Sequence, residues 1–179
     1  SYNNNKINLN EIIYEENKNY FEVRNLNLNK DFKIVSVDKV ILDILNQNNK
    51  KNNLIIEKKL NNYNLSGASF DSYSIINDIL LSDSDKSFFD NFILRDGTTL
   101  NISLKKLFLD QKIFSKSLMG KVIINKNKVH ELTLTSLFDN GGKFKLDVKT
   151  LNNNQKSTSF YSDNAEPFVK HYKFIKGFK

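Results

Sequence analysis

The chain has 179 residues, a net charge of +7 and no cysteine. That length supports one medium domain with its own core, and the missing thiols exclude disulfides, thiolate catalysis and zinc–cysteine sites. The positive charge is almost all lysine, with Arg24 and Arg95 the only arginines; arginine suits base and phosphate forks, so the charge reads as a spread, solvated surface and no nucleic-acid partner is expected.

The chain opens on Ser1 and is read as an excerpt of a longer protein. No apolar run approaches the roughly 20 residues of a membrane helix, and no signal-peptide pattern stands at the start. Lys6-Ile-Asn-Leu-Asn10 alternates strictly and Ile12-Ile-Tyr14 continues it, so the first strand falls here. Tyr20–Arg24 and Leu26–Asn29 give a second strand with a bulge expected near Asn25. Asp31–Val37, Val40–Leu45, Leu54–Lys58 and Tyr63–Ser66 are four more, with a polar loop at Asn46–Asn53.

The period then changes. Phe70 or Tyr73, then Ile75, Ile76, Ile79 and Leu80, recur at helical spacing, which predicts a short helix over 69–82 capped by Asp71 or Ser72. Thr99–Leu104 and Leu107–Leu109 return to strand. Lys116–Asn125, Val129–Phe138, Phe144–Lys149 and Ser157–Tyr161 follow, separated by turns at Asn125–Lys128, Asp139–Gly142 and Asn152–Gln155. A second helix is predicted over Asp163–Gly177. Asp163 or Asn164 can cap it, Pro167 fits its first turn, and Gly177 can end it. The fold expected is mainly β with two short helices, an α+β arrangement around an antiparallel sheet. One segment, 1–179, divides into a first strand set (1–66), a helix and connection (67–98), a β-meander (99–161) and a closing helix (162–179).

In Phe144-Lys-Leu-Asp-Val-Lys149, apolar and charged residues trade places, so each sheet has one wet and one apolar face. A second sheet, the helices or a lipid chain would each cover the apolar face. Catalytic groupings are missing from the pattern. His130 and His171 are the two histidines, and both read as ordinary surface or half-buried side chains. Asp83, Asp85, Asp90 and Asp96 lack EF-hand spacing, and no glycine-rich phosphate loop is present. No catalytic residue, metal ligand or cofactor is therefore assigned. The 14 phenylalanines, Phe108 and Phe114 among them, are expected in the core or lining a groove.

The order of these elements carries a resemblance. Strands lead to Leu65-Ser-Gly-Ala-Ser-Phe-Asp-Ser-Tyr73; then comes Leu100-Asn-Ile-Ser-Leu-Lys-Lys-Leu-Phe-Leu109, a meander, and Ser162–Gly177. This resembles the AsmA-like C-terminal region of bacterial envelope proteins of the YhdP and TamB type. Gly67, Phe70 and Asp71 match that family's step into its first helix. Asp163, Ala165, Phe168, Tyr172, Ile175 and Gly177 approximate its closing-helix motif, with Asn164 inserted. Glu166 and Phe178 stand where the family tends to carry glycine.

The resemblance implies a long twisted sheet curled into a groove. It also implies a periplasmic setting in a Gram-negative cell, anchored in the inner membrane through parts of the parent outside this chain. The implied role is non-enzymatic: moving phospholipid, or another lipid, between inner and outer membranes. Leu100, Ile102, Leu104, Leu132, Leu134, Phe144, Leu146 and Val148 are then the groove-lining candidates. The competing expectation is a structural or assembly β-domain whose apolar face is a closed core without ligand.

Overall fold

The computed structural model describes residues 2–3, 6–72, 91–109, 112–151 and 155–166. Twelve strands account for most of them. The first half holds β1 (Tyr2–Asn3), β2 (Lys6–Glu16), β3 (Asn19–Asn29), β4 (Ile34–Ser36), β5 (Lys39–Leu45), β6 (Lys51–Lys59) and β7 (Asn62–Asp71). The second holds β8 (Thr98–Phe108), β9 (Phe114–Asn125), β10 (Lys128–Phe138), β11 (Lys143–Thr150) and β12 (Lys156–Ser162). They make one open sheet in the order β1-β2-β3-β5-β6-β7-β8-β9-β10-β11-β12, with β4 attached to β3 off that path.

This corrects the α+β expectation. The described chain is nearly all β, and no helix stands among the described residues. Ser69–Asp71, expected to begin the first helix, are the end of β7: Ser69 pairs with Asn53, Phe70 with Leu107 and Asp71 with Phe108. A register shift at Asn53/Leu54 leaves Ala68 between the paired residues Gly67 and Ser69. Across the bulge the apolar-face positions go from Gly67 to Phe70, a step of three that a helix face also shows. The rest of that expected helix, 73–82, and residues 167–177 of the second lie outside the described residues. The purely antiparallel expectation is corrected too. All neighbours run antiparallel except β7 and β8, which are parallel because the chain between them returns to its starting end.

Pairing across the sheet sorts the side chains into rows. One row runs Ile12–Val23–Val40–Ile56–Leu65–Ile102–Gly120–Leu134–Leu146–Phe160, from β2 to β12. Nine of its members are apolar, and directly paired residues share a face. Gly120 is the gap, and Leu134 fills it: a Cβ at Gly120 would overlap the Leu134 side chain. A neighbouring row on the same face runs Tyr63–Leu100–Val122–Leu132–Val148–Thr158.

The row one residue over lies on the opposite face and is polar throughout: Glu11–Arg24–Lys39–Glu57–Asn64–Asn101–Lys121–Thr133–Asp147–Ser159. Its members bond across strands. Lys39 Nζ lies 3.0 Å from Glu57, Asn101 Nδ2 donates to Asn64 Oδ1 at 3.0 Å, and Thr133 Oγ1 donates to Asp147 Oδ1 at 3.0 Å. Beside this row Glu22 is buried, and Tyr20 and Arg24 on its own strand both donate to its carboxylate.

Two features break the flat layer. β3 pairs with β2 along one edge, so its other edge must serve both β4 and β5. The sheet forks there. The Ile34–Phe92 bridge extends the β4 branch, with the Ile93 N–H donating to the Ile34 carbonyl at 2.8 Å. The strap 92–97 is tied at its far end to the β9–β10 turn: Leu94 N–H donates to Asn127 Oδ1 at 3.0 Å, and Lys126 N–H donates to Asp96 Oδ1 at 2.6 Å.

Gly67 is fixed by this architecture. At the bulge, a Cβ on Gly67 would overlap the Asn53 carbonyl oxygen, which belongs to the backbone and cannot swing aside. Gly67→Ala is expected to destabilise the chain by about 1–3 kcal/mol, the range for forced overpacking. Urea midpoints measure this; a midpoint equal to that of the parent would mean that β6 and β7 do not approach so closely.

Candidate functional site

The fork and the strap border a half-open cavity of about 420 Å³ against the apolar face. Its floor is the first part of the apolar row, Ile12, Val23, Val40 and Ile56, with Phe21 beside them. Leu26, Ile34 and Val37 come from the fork, and Phe92 and Leu94 from the strap. Leu100, Thr98 and Ile124 close the side toward β8 and β9. Fourteen residues line it and twelve are apolar, the exceptions being Tyr63 and Thr98. A volume of this order suits a small apolar ligand.

Thr98 Oγ1 donates to the Arg95 carbonyl at 2.6 Å. Burial raises the Tyr63 pKa, the largest effect on it; a backbone hydrogen bond from Val37 opposes the rise, and the charge of Asp38 adds to it. Tyr63 is half-buried at the edge of this apolar space.

The eight groove-lining candidates all fall on the apolar face. Ile102, Leu134 and Leu146 are in the long row, and Leu100, Leu132 and Val148 in its neighbour. Leu104 pairs with Leu118, both 4% exposed, and packs with Leu54 in one buried cluster. Phe144 packs with Leu109 and Phe138 in a second, flanked by Leu134 and Leu146. Of the eight, only Leu100 lines the cavity. The residues that form most of it, in β2 to β6 and the strap, were missed. Their strands were readable, but the contact of Ile34 with Phe92 joins segments far apart in sequence and leaves no local signal.

The motif residues prove to be joints. Asp71 is buried; its N–H donates to Asn52 Oδ1 at 2.6 Å and its Oδ2 accepts from Asn46 Nδ2 at 2.6 Å. Asn46 Oδ1 in turn accepts from the N–H groups of Asn48 and Lys50, so Asp71 holds the β5–β6 turn to the end of β7. Phe70 packs against the cluster of Leu54, Leu104 and Leu118. Asp163 does not take the helix cap. Its Oδ2 accepts from Lys143 N–H at 2.6 Å, which fastens the end of β12 to β11, while Asn164 Oδ1 accepts from Glu166 N–H at 3.1 Å. Ala165 is exposed. Phe168, Tyr172, Ile175 and Gly177 lie outside the described residues, as does His171. His130 is half-buried at a register shift in β10.

Phe108 and Phe114 stack edge to face, 6.2 Å apart, beneath lysine ammoniums. Lys106 Nζ is 3.8 Å from the Phe114 centroid and Lys50 Nζ is 4.6 Å from that of Phe108. Among the described residues no group of three or more His, Asp or Glu side chains could hold a metal ion, and no helix is long and apolar enough to cross a membrane. No family model, curated protein or solved structure matches the chain, so none identifies it as AsmA-like.

The Lys143 N–H, and then the Tyr161 hydroxyl, hold the Asp163 carboxyl below the ordinary aspartate range. A lowered folded pKa stabilises above the unfolded value, and the benefit is lost as pH falls through the folded one. Asp163→Ala is therefore expected to be less stable than the parent near neutrality, with the gap closing on acidification. Denaturant midpoints at stepped pH measure this, and a gap independent of pH would rule out the bond as its source.

Proposed function

We propose that this chain is a non-enzymatic lipid-handling segment whose apolar face holds or conducts the acyl chains of a phospholipid or another lipid. The observation that carries the reading is the row from Ile12 to Phe160, apolar at every position but Gly120, backed by a polar row on the other face. A sheet that carries one apolar row across ten strands can serve as a trough wall, although Ile13, Ile41, Ile55 and Met119 also stand on its more polar face, and the half-open cavity beside the strap is the trough's deepest part. Acyl chains need no catalytic group here, because each buried methylene contributes about 0.8 kcal/mol. The envelope setting, with transfer between inner and outer membranes in a periplasm-spanning parent, rests on the motifs at Gly67–Asp71 and Asp163–Gly177 alone.

A second reading, a structural β-domain with a closed core, is favoured by one observation. Leu54, Leu104 and Leu118 are each less than a tenth exposed, so the middle of the face is already covered. Photoreactive side chains at Leu146 and Val148, compared with Lys145 and Lys149 on the opposite face, separate the two. The lipid reading expects lipid adducts, seen by mass spectrometry, from the first pair only. Equal yields from both faces, or none from either, would sink it in favour of the closed core.

A further inference from the structure

The end of the sheet at which the cavity lies carries two side chains that the lipid-binding face does not use. Phe32, in the β3–β4 turn, is 72% exposed, and Leu60, in the β6–β7 turn, is 91% exposed. Both turns project from the same end, since β3 finishes where β5 starts and β6 finishes beside it. The strap reaches this end as well: the Arg95 guanidinium donates to Asn61 Oδ1 at 3.4 Å.

Both residues have positive φ, 58° at Phe32 and 57° at Leu60. Among the described non-glycine residues with such angles, the others are Asn17, Asn25, Asn49, Ser117, Lys126 and Asn127, all polar. Asparagine takes this conformation at low cost, and a bulky apolar side chain does not. The folded chain thus spends backbone strain to hold two large apolar groups in water.

Charge surrounds them. Asp31 and Lys33 flank Phe32 with Lys30 one position further, and Lys59 precedes Leu60, so lysines outnumber the one acid at these two tips. Lys126 and Lys128 stand at the β9–β10 turn of the same end. All five lysines are exposed, and none forms an ion pair among the described residues. Apolar tips set among unpaired lysines complement an anionic membrane interface, with side chains entering the headgroup boundary and ammoniums meeting lipid phosphates.

We infer that this end of the sheet docks on an anionic lipid bilayer, with Phe32 and Leu60 as the inserting tips. The inference deepens the lipid-handling reading and rests on it for its purpose, since docking would bring a membrane to the cavity end of the trough. Its observations are separate, and so is its test.

The test is flotation of the full chain with phosphatidylcholine vesicles, with and without an added phosphatidylglycerol fraction. The parent is expected to float with the anionic vesicles and to be released by salt. The double variant Phe32→Asn/Leu60→Asn is expected to lose about tenfold or more of that binding. Asparagine suits both turns, so its urea midpoint should equal or exceed that of the parent. A parent that stays at the bottom of the gradient overturns the inference, as does a folded double variant that floats equally well. Crosslinking from Leu146 in mixed lipid–detergent micelles needs no bilayer, so trough and docking can each fail alone.

Discussion

Register is the constraint on which the molecule depends. Side chains alternate along a strand, so a slip of one residue moves a strand's whole apolar set to the other face. Here the set must stay aligned over ten strands, from Ile12 in β2 to Phe160 in β12. The departures from regularity leave it intact. Asn10 and Asn25 both drop out of the β2–β3 ladder, and the pairs on either side keep the same register. In the β9–β10 ladder one shift follows Val129, and a second, between Thr135 and Leu137, reverses it. The Ala68 bulge carries the apolar positions past Gly67 so that Phe70 still reaches the buried cluster. Irregular residues are thus used in compensating ways, and the apolar face survives each one.

Much of this was legible in the sequence, for physical reasons that differ by element. The strands showed because one-sided burial imposes period two, as in Phe144–Lys149. The β9–β10 turn showed because Asn125-Lys-Asn-Lys128 is a polar break between two alternating runs, and in the structure Lys126 and Asn127 adopt the positive φ of a tight hairpin connection. Gly67 was singled out as part of a motif, and the structure supplies its cause in the close approach of Asn53. The first helix was misplaced at Ser69–Asp71 because a bulge changes the spacing of apolar residues, and the same step of three occurs on a helix face. Asp163 and Asn164 offered equivalent capping chemistry to a sequence reader; only the position of Lys143, supplied by the hairpin, assigns Asp163 to the strand end. The fork, the strap and the cavity had no local signature, since each depends on which distant segments meet.

The two faces also divide the chemistry. Most of the charge is on one side, where cross-strand partners such as Lys39 and Glu57 share it in water, and such exposed pairs contribute little to stability. Stability comes from the other side, where the clusters around Leu104 and Phe144 are buried. The cavity runs from β2 to the near ends of β8 and β9 and shares no lining residue with these clusters, so the well-packed stretch and the open stretch are different parts of one surface. Substitutions in the cavity floor can therefore alter ligand space without removing the contacts that hold β8 to β11 together.

The parallel β7–β8 junction bears on how the sheet is assembled in time. Within each half, most neighbouring strands meet through short turns, as Val129 does with Ile124, and only β3 and β5 are joined by way of β4. At the junction Tyr63 must find Leu100, and Phe70 must find Leu107, across a long intervening stretch. Closing that loop costs more chain entropy than closing a hairpin, and pairings distant in sequence form slowly. The two meanders can therefore zip independently, each from its own turns, and the parallel seam is the step that must wait for both. Since the strap lies within that same stretch, the half-open cavity comes into being only when the halves have joined.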